Sequence, residues 1–163
     1  MNKNIKTQQN TIGGKQMDNK EIITEYLNAV YQNIKTATQS IEDILPKVQD
    51  PELKKELASE QDKYTILQKE CELFAKAEGI DGIKDNSWFE KAKLWSSINM
   101  STMTNKTNRK IAELMLLGTF MGIITCEKDR HDHKGISTEI DEILRKLRTL
   151  EENNIDNLMP FLV

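Results

Sequence analysis

Proline and glycine are scarce in this chain, 3 and 7 residues out of 163, a scarcity that suits an all-α protein. Cysteine is limited to Cys71 and Cys126, both inside apolar helical patterns. A free thiol there acts as a small hydrophobe, and a reducing cytoplasm is the expected setting. Charge of neither sign dominates: a net charge of -3 and a pI near 5.5 leave no electrostatic footprint for nucleic acid. The N-terminal residues carry no apolar core of a signal peptide, so the sequons at Asn99 and Asn105 are without meaning. Neither a Gly-rich phosphate loop nor a Cys-x-x-Cys is present. His131 and His133 share one turn, so no His-centred triad can be argued.

What is present is patterned apolar content, 37% hydrophobic against 30% charged, enough for one domain with a substantial core. The most apolar stretch is Ile111–Cys126, 16 residues whose only charged group is Glu113. Spanning a membrane takes about 18 to 20 apolar residues, so this stretch is too short. Its Ala, Leu and Met favour helix over strand. Apolar on every side, it is expected to be a helix buried nearly all round, touching more than two bundle neighbours. Gly118 and Gly122 stand four apart on it. They would let another backbone approach closely, as a helix contact or a dimer seam, and Gly118→Leu is expected to overfill that contact.

Along the chain, residues 1–17 are polar and aperiodic around Gly13-Gly14 and are expected to form a disordered tail, with Met17 as an alternative start. A first helix starts at Asp18, with Glu21 completing a capping box, carries Ile23, Leu27, Val30, Ile34, Ile41 and Ile44 on one stripe, and ends at Pro46. A second starts with Asp50 as N-cap and Pro51 behind it, and stops at Gly79. Its stripe of Leu53, Leu57, Tyr64, Leu67 and Cys71 puts Glu60 on the core-facing line. Ser87 and Glu90 open a short helix bearing Trp88, Trp95 and Ile98, followed by a break or kink from Ser101 to Asn108. A third helix covers roughly 107–129, and a fourth opens near Ser137. Two antiparallel hairpins joined by a longer connection make a four-helix bundle with one long crossover.

In this layout the chain resembles the ferritin-like superfamily, and within it rubrerythrin-related branches, over about residues 18–162. Di-iron members carry Glu-x-x-His on the second and fourth helices and single glutamates on the other two. The matching positions here are Glu60-Gln61-Asp62-Lys63 and Glu151-Glu152-Asn153-Asn154, both without the histidine, and the closing EENNIDNLMPFL is similar to the last helix of that group. The resemblance implies an all-α, ferritin-like fold in residues 18–163 whose metal site is degenerate.

Helix geometry weighs the metal further. Residues equidistant from a hairpin turn lie level, at a rise of about 1.5 Å per residue. With the first turn near residue 48, Glu60 levels with Thr36, Ala37 and Thr38 rather than with an acid. With the second near 133, Glu113 levels with about residue 153 and meets Glu151 and Asn154. Half a site results, and Lys63 either neutralises Glu60 or points outward. Glu60, Glu113 and Glu151 in a low-dielectric core would titrate high, as a catalytic acid does and as a paired buried charge does. His131 and His133 are expected in a solvated turn.

The leading expectation is therefore a non-catalytic cytoplasmic bundle without cofactor, acting as a homodimer or higher oligomer in a structural or interaction role. The alternative is an iron or manganese protein, an oxidase or peroxidase using Glu60, Glu113, Glu151 and Asn154. A third option is a small-ligand carrier with a pocket between the crossover helix and the bundle.

Overall fold

A computed structural model of the chain describes residues 11–12, 15–16, 18–83 and 107–163. Residues 18–83 and 107–163 form a four-helix, all-α bundle. Each helix begins where the local chemistry allows it. α1, Asn19–Ile44, opens on the Asp18 capping box: Asp18 Oδ1 accepts from Glu21 N at 2.8 Å, and Glu21 Oε2 accepts from Asp18 N at 3.3 Å. α2, Pro51–Ala77, is capped by Asp50 Oδ1, which accepts from Leu53 N at 2.8 Å. α3, Asn108–Asp132, takes Thr107 as its cap, and α4, Thr138–Leu158, takes Ser137. A 3₁₀ turn at Leu45–Lys47 holds Pro46, and another at Met159–Leu162 closes the chain. Gly79 ends the second segment with a φ of 63°, a conformation open to glycine. Upstream of α1, Thr11–Ile12 pairs antiparallel with Lys15–Gln16.

The cross-helix contacts define the topology. Tyr26, early in α1, touches His133 at the end of α3 and Asp141 at the start of α4. Lys146 of α4 pairs with Glu70 of α2, and Asn157 of α4 with Glu56 of α2. Thus α1 runs antiparallel to α2 and α3, and α4 antiparallel to α2 and α3. Lys20 Nζ donates to Gly79 O at 2.9 Å, which fixes the exit from α2 beside the start of α1. α3 begins at the opposite end of the bundle, roughly 40 Å away for helices of this size. The short helix expected around Trp88 and Trp95, and the kink after Ser101, fall outside the described residues.

The core is a continuous apolar column to which every helix contributes, with Leu27, Ile34, Leu57, Ile111, Ile140 and Leu147 fully buried. Among the described residues no helix is long and apolar enough to cross a membrane. α3 departs from the sequence reading. It is not buried all round: Leu117, Phe120, Met121 and Ile124 are 51%, 49%, 45% and 60% exposed. The inward face is made instead by Ile111, Ala112, Met115, Leu116, Thr119, Gly122 and Cys126. Apolar residues on both faces of one helix give no periodic contrast, and sequence alone cannot tell which face the bundle covers.

Candidate functional site: a carboxylate layer in the core

Midway along the bundle the apolar column gives way to polar side chains. α2 supplies Glu60 and, one turn on, Tyr64; α4 supplies Glu151 and Asn154. Glu60, Glu151 and Asn154 are 1%, 1% and 0% exposed. Asn154 Nδ2 donates to Tyr64 Oη at 3.1 Å. From α1, Asn33 Nδ2 donates to Gly122 O at 3.1 Å and meets Cys126 Sγ at 3.4 Å. Gly122 is what lets Glu151 fit. A Cβ there would lie 2.6 Å from Glu151 Oε1 and 2.9 Å from its Cδ, so the close approach is to a carboxylate and not to another backbone. Gly118 has nothing within 4 Å of its would-be Cβ and faces solvent. The two glycines therefore do not form a common seam, and the expected overfilling by Gly118→Leu is corrected: that side chain meets open space.

Burial governs the electrostatics. The Glu60 carboxyl is pushed up to about 8 by loss of solvation, then by the neighbouring charges of Glu56 and Glu151, against a smaller pull from Lys63. Lys63 itself is exposed, pointing outward. Glu151 is also pushed up to about 8 by burial, with the Tyr64 hydroxyl pulling the other way. The same burial drives Tyr64 well above the usual phenol value and Cys126 up to about 12. Burial shifts both carboxyls toward the protonated form, in which each can donate a hydrogen bond. Glu60 Oε1, Glu151 Oε2 and Asn154 Oδ1 have no hydrogen-bond partner among the described residues, so the layer presents acceptors that a proton or a cation would satisfy.

Of the residues singled out in the sequence, the fold brings Glu60, Glu151 and Asn154 into this layer and leaves Glu113 out. Glu113 lies on the surface with its side chain 42% exposed, 2.9 Å from Lys110 Nζ and 3.6 Å from Arg109 Nε. Lys110 holds its carboxyl below the ordinary range, the reverse of the high titration expected. The physical reasons are the helix face and the turn. Glu113 stands on the outward side of α3 with Leu117 and Phe120, while Ile111, Ala112, Met115 and Leu116 turn inward. No breaker interrupts the helix before Gly135, α3 continues to Asp132, and the hairpin centre falls near residue 135. Gly122, not Glu113, is level with Glu151. Among the described residues no three His, Cys, Asp or Glu side chains form a metal-binding group.

The bundle end holds a second polar group. His133, expected in a solvated turn, is buried and stacks on Tyr26 with ring centroids 4.6 Å apart and planes 5° from parallel. Its Nδ1 lies 3.0 Å from Asp129 O, and Tyr26 Oη donates to Asp141 Oδ1 at 2.6 Å. His131 is exposed, so the two histidines share no site. Beside them an open groove of about 800 Å³ follows the α1–α3 seam, with Asp129 and Asn33 among its lining residues. Burial raises the Asp129 carboxyl to about 6. Asn33 and Tyr64 were missed as polar members of the layer. Asn33 adjoins Ile34 in the apolar stripe of α1, and that was the available signal.

Compared with known proteins, the chain matches no family model, no curated protein and no solved structure.

Two predictions follow from the layer. Gly122→Ala is expected to destabilise the fold by roughly 1–3 kcal/mol through overpacking. Gly118→Ala is expected to stabilise it by up to about 1 kcal/mol through helix propensity. Urea unfolding of the two variants measures this, and equal effects would refute the assignment of Gly122. The second concerns pH. Both carboxyls titrate near 8 in the folded chain and near 4.5 in the unfolded one, so folding takes up protons. Their contribution is fully present below about pH 4.5 and is lost as pH rises through 8, at up to about 1.4 kcal/mol per pH unit per group. Glu151→Gln should flatten this slope relative to the unmodified chain between pH 5 and 8.5. Parallel slopes would show that Glu151 ionises normally.

Proposed function

We propose that the chain is a ferritin-like helical bundle that works in the cytoplasm as a non-catalytic oligomer, in a structural or interaction role. The ferritin-like reading is supported by two antiparallel hairpins, the second beginning at the opposite end of the bundle from where the first stops, with core carboxylates on α2 and α4. The observation that carries the oligomeric role is the outer face of α3. Leu117, Phe120, Met121 and Ile124 fall on one stripe and are each about half exposed. Single exposed apolar residues are ordinary; four adjoining ones on one helix face mark an interaction surface. Sedimentation velocity of the full chain across a micromolar concentration series is expected to show reversible self-association. A monomer at every concentration would overturn the reading.

A second reading is favoured by a separate observation, the partnerless buried oxygens of Glu60, Glu151 and Asn154. Carboxylate and amide oxygens suit hard ions such as manganese, and iron(II) among softer ones. Three donors from two helices fit a single ion better than a two-ion centre. When bound, such an ion would supply Lewis acidity or redox chemistry, with Glu60 and Glu151 giving up their protons to hold it. Anaerobic iron(II) or manganese(II) loading followed by desalting should then leave up to one ion per chain, lost in Glu151→Gln. Uptake unaffected by that substitution would remove this reading.

A further inference from the structure

The outer face of α3 has a property beyond being apolar: it is self-complementary. Phe120 and Met121 stand at its centre. Leu117 and Ile124 lie equally far on either side, each exposed. One turn beyond them stand Glu113 and Lys128, and one turn further Arg109 and Asp132, all four exposed. At about 100° per residue these positions fall within about 140° of arc, with Lys128 and Asp132 at the edge that borders the α1–α3 groove. We propose that a second copy of this chain packs on this face, through an antiparallel two-fold α3–α3 seam centred between Phe120 and Met121. The inference rests on the oligomeric reading above and adds the partner, the face and the register.

Charge selects the direction. In the antiparallel arrangement Leu117 faces Ile124 of the second copy, Glu113 faces its Lys128 and Arg109 faces its Asp132, each contact made twice by symmetry. A parallel arrangement sets Glu113 against Glu113 and Lys128 against Lys128, which is repulsive. The pairs that Glu113 makes now, with Lys110 and Arg109 of its own helix, are surface ion pairs at i,i+3 and i,i+4 and are easily exchanged. Another apolar pair, Ile66 and Leu73 on α2, is also exposed. It offers two apolar residues rather than four, and Glu70 between them is already paired with Lys146 of α4, so it does not compete as a seam. The inward face of α3 is committed to the core through Gly122 and Cys126; among the described residues the outward face is the one open to a second helix at coiled-coil distance.

The test is a charge exchange on the full chain at low salt, read as the dimer dissociation constant by sedimentation velocity. Glu113→Lys and Lys128→Glu are each expected to weaken the dimer about tenfold, since each reversal acts at two symmetric contacts. The double variant restores opposite charges across the seam and is expected to return to within about threefold of the unmodified chain. Phe120→Asp is expected to abolish the dimer without loss of helicity or melting temperature, because that side chain lies outside the core. If the double variant stays as weak as the singles, the register is wrong. If the chain dimerises but ignores all four variants, this seam is wrong while the oligomeric reading survives on another surface. If the unmodified chain is monomeric, both fall.

Discussion

A carboxylate taken into a bundle core needs room, partners and a way to shed its charge, and the middle of this molecule is arranged around Glu151. Room comes from Gly122, whose missing side chain is the space that the carboxylate fills. Neighbours come from α2 and from one turn on in α4, as Tyr64 and Asn154. Burial drives the Glu151 carboxyl toward the protonated form, and Lys63, on the solvent side, does not offset it. Replacing any one member alone exposes the rest to an uncompensated cost, which is the usual behaviour of buried polar networks. Asn33 ties α1 to the same level through the Gly122 carbonyl. All four helices are therefore registered at this layer, where apolar packing alone would tolerate sliding.

The bundle end is registered by different means. Tyr26, His133 and Asp141 bring the start of α1, the end of α3 and the start of α4 to one point. Stacking and a short hydrogen bond are directional, so they set rotation as well as height. With the end and the middle both fixed, the order of neighbours around the bundle follows, and α2 can only sit against α1 and α4. The connection leaving α2 at Gly79 must then reach the far end before α3 begins.

Much of this was legible in the sequence. Capping residues Asp18, Asp50 and Ser137 announced the helices they open, and the stripe from Leu53 to Cys71 placed Glu60 inside. Glu151 and Asn154 were singled out through the resemblance to the Glu-x-x-His motif of the ferritin-like superfamily. Glu113 was misplaced because it stands on the outward face of α3, which an apolar helix does not announce, and because its height was misjudged. An error of two or three residues in the centre of a turn doubles when carried across a hairpin, which at about 1.5 Å per residue is one to two helical turns. Gly118 and Gly122 were indistinguishable as letters, and only the packing shows that one faces a carboxylate and the other solvent. The outer face of α3 was hidden because an apolar residue reads the same whichever side of a helix is covered.

That last ambiguity bears on assembly. Four half-exposed apolar side chains each recover about 1 kcal/mol on burial, roughly 8 kcal/mol for the two copies of the stripe. Association costs on the order of 4–15 kcal/mol in lost freedom. The stripe therefore stands close to break-even by itself, and small terms decide the outcome. Charges that would be negligible in a large hydrophobic interface become decisive here, because Glu113 and Lys128 add or subtract at both ends of the same short seam. At best the stripe alone nets about 4 kcal/mol, a millimolar dissociation constant, so association at micromolar concentration depends on the flanking charges and is sensitive to salt. The apolar centre supplies adhesion of little selectivity, and the flanking charges choose which partner and which direction it serves.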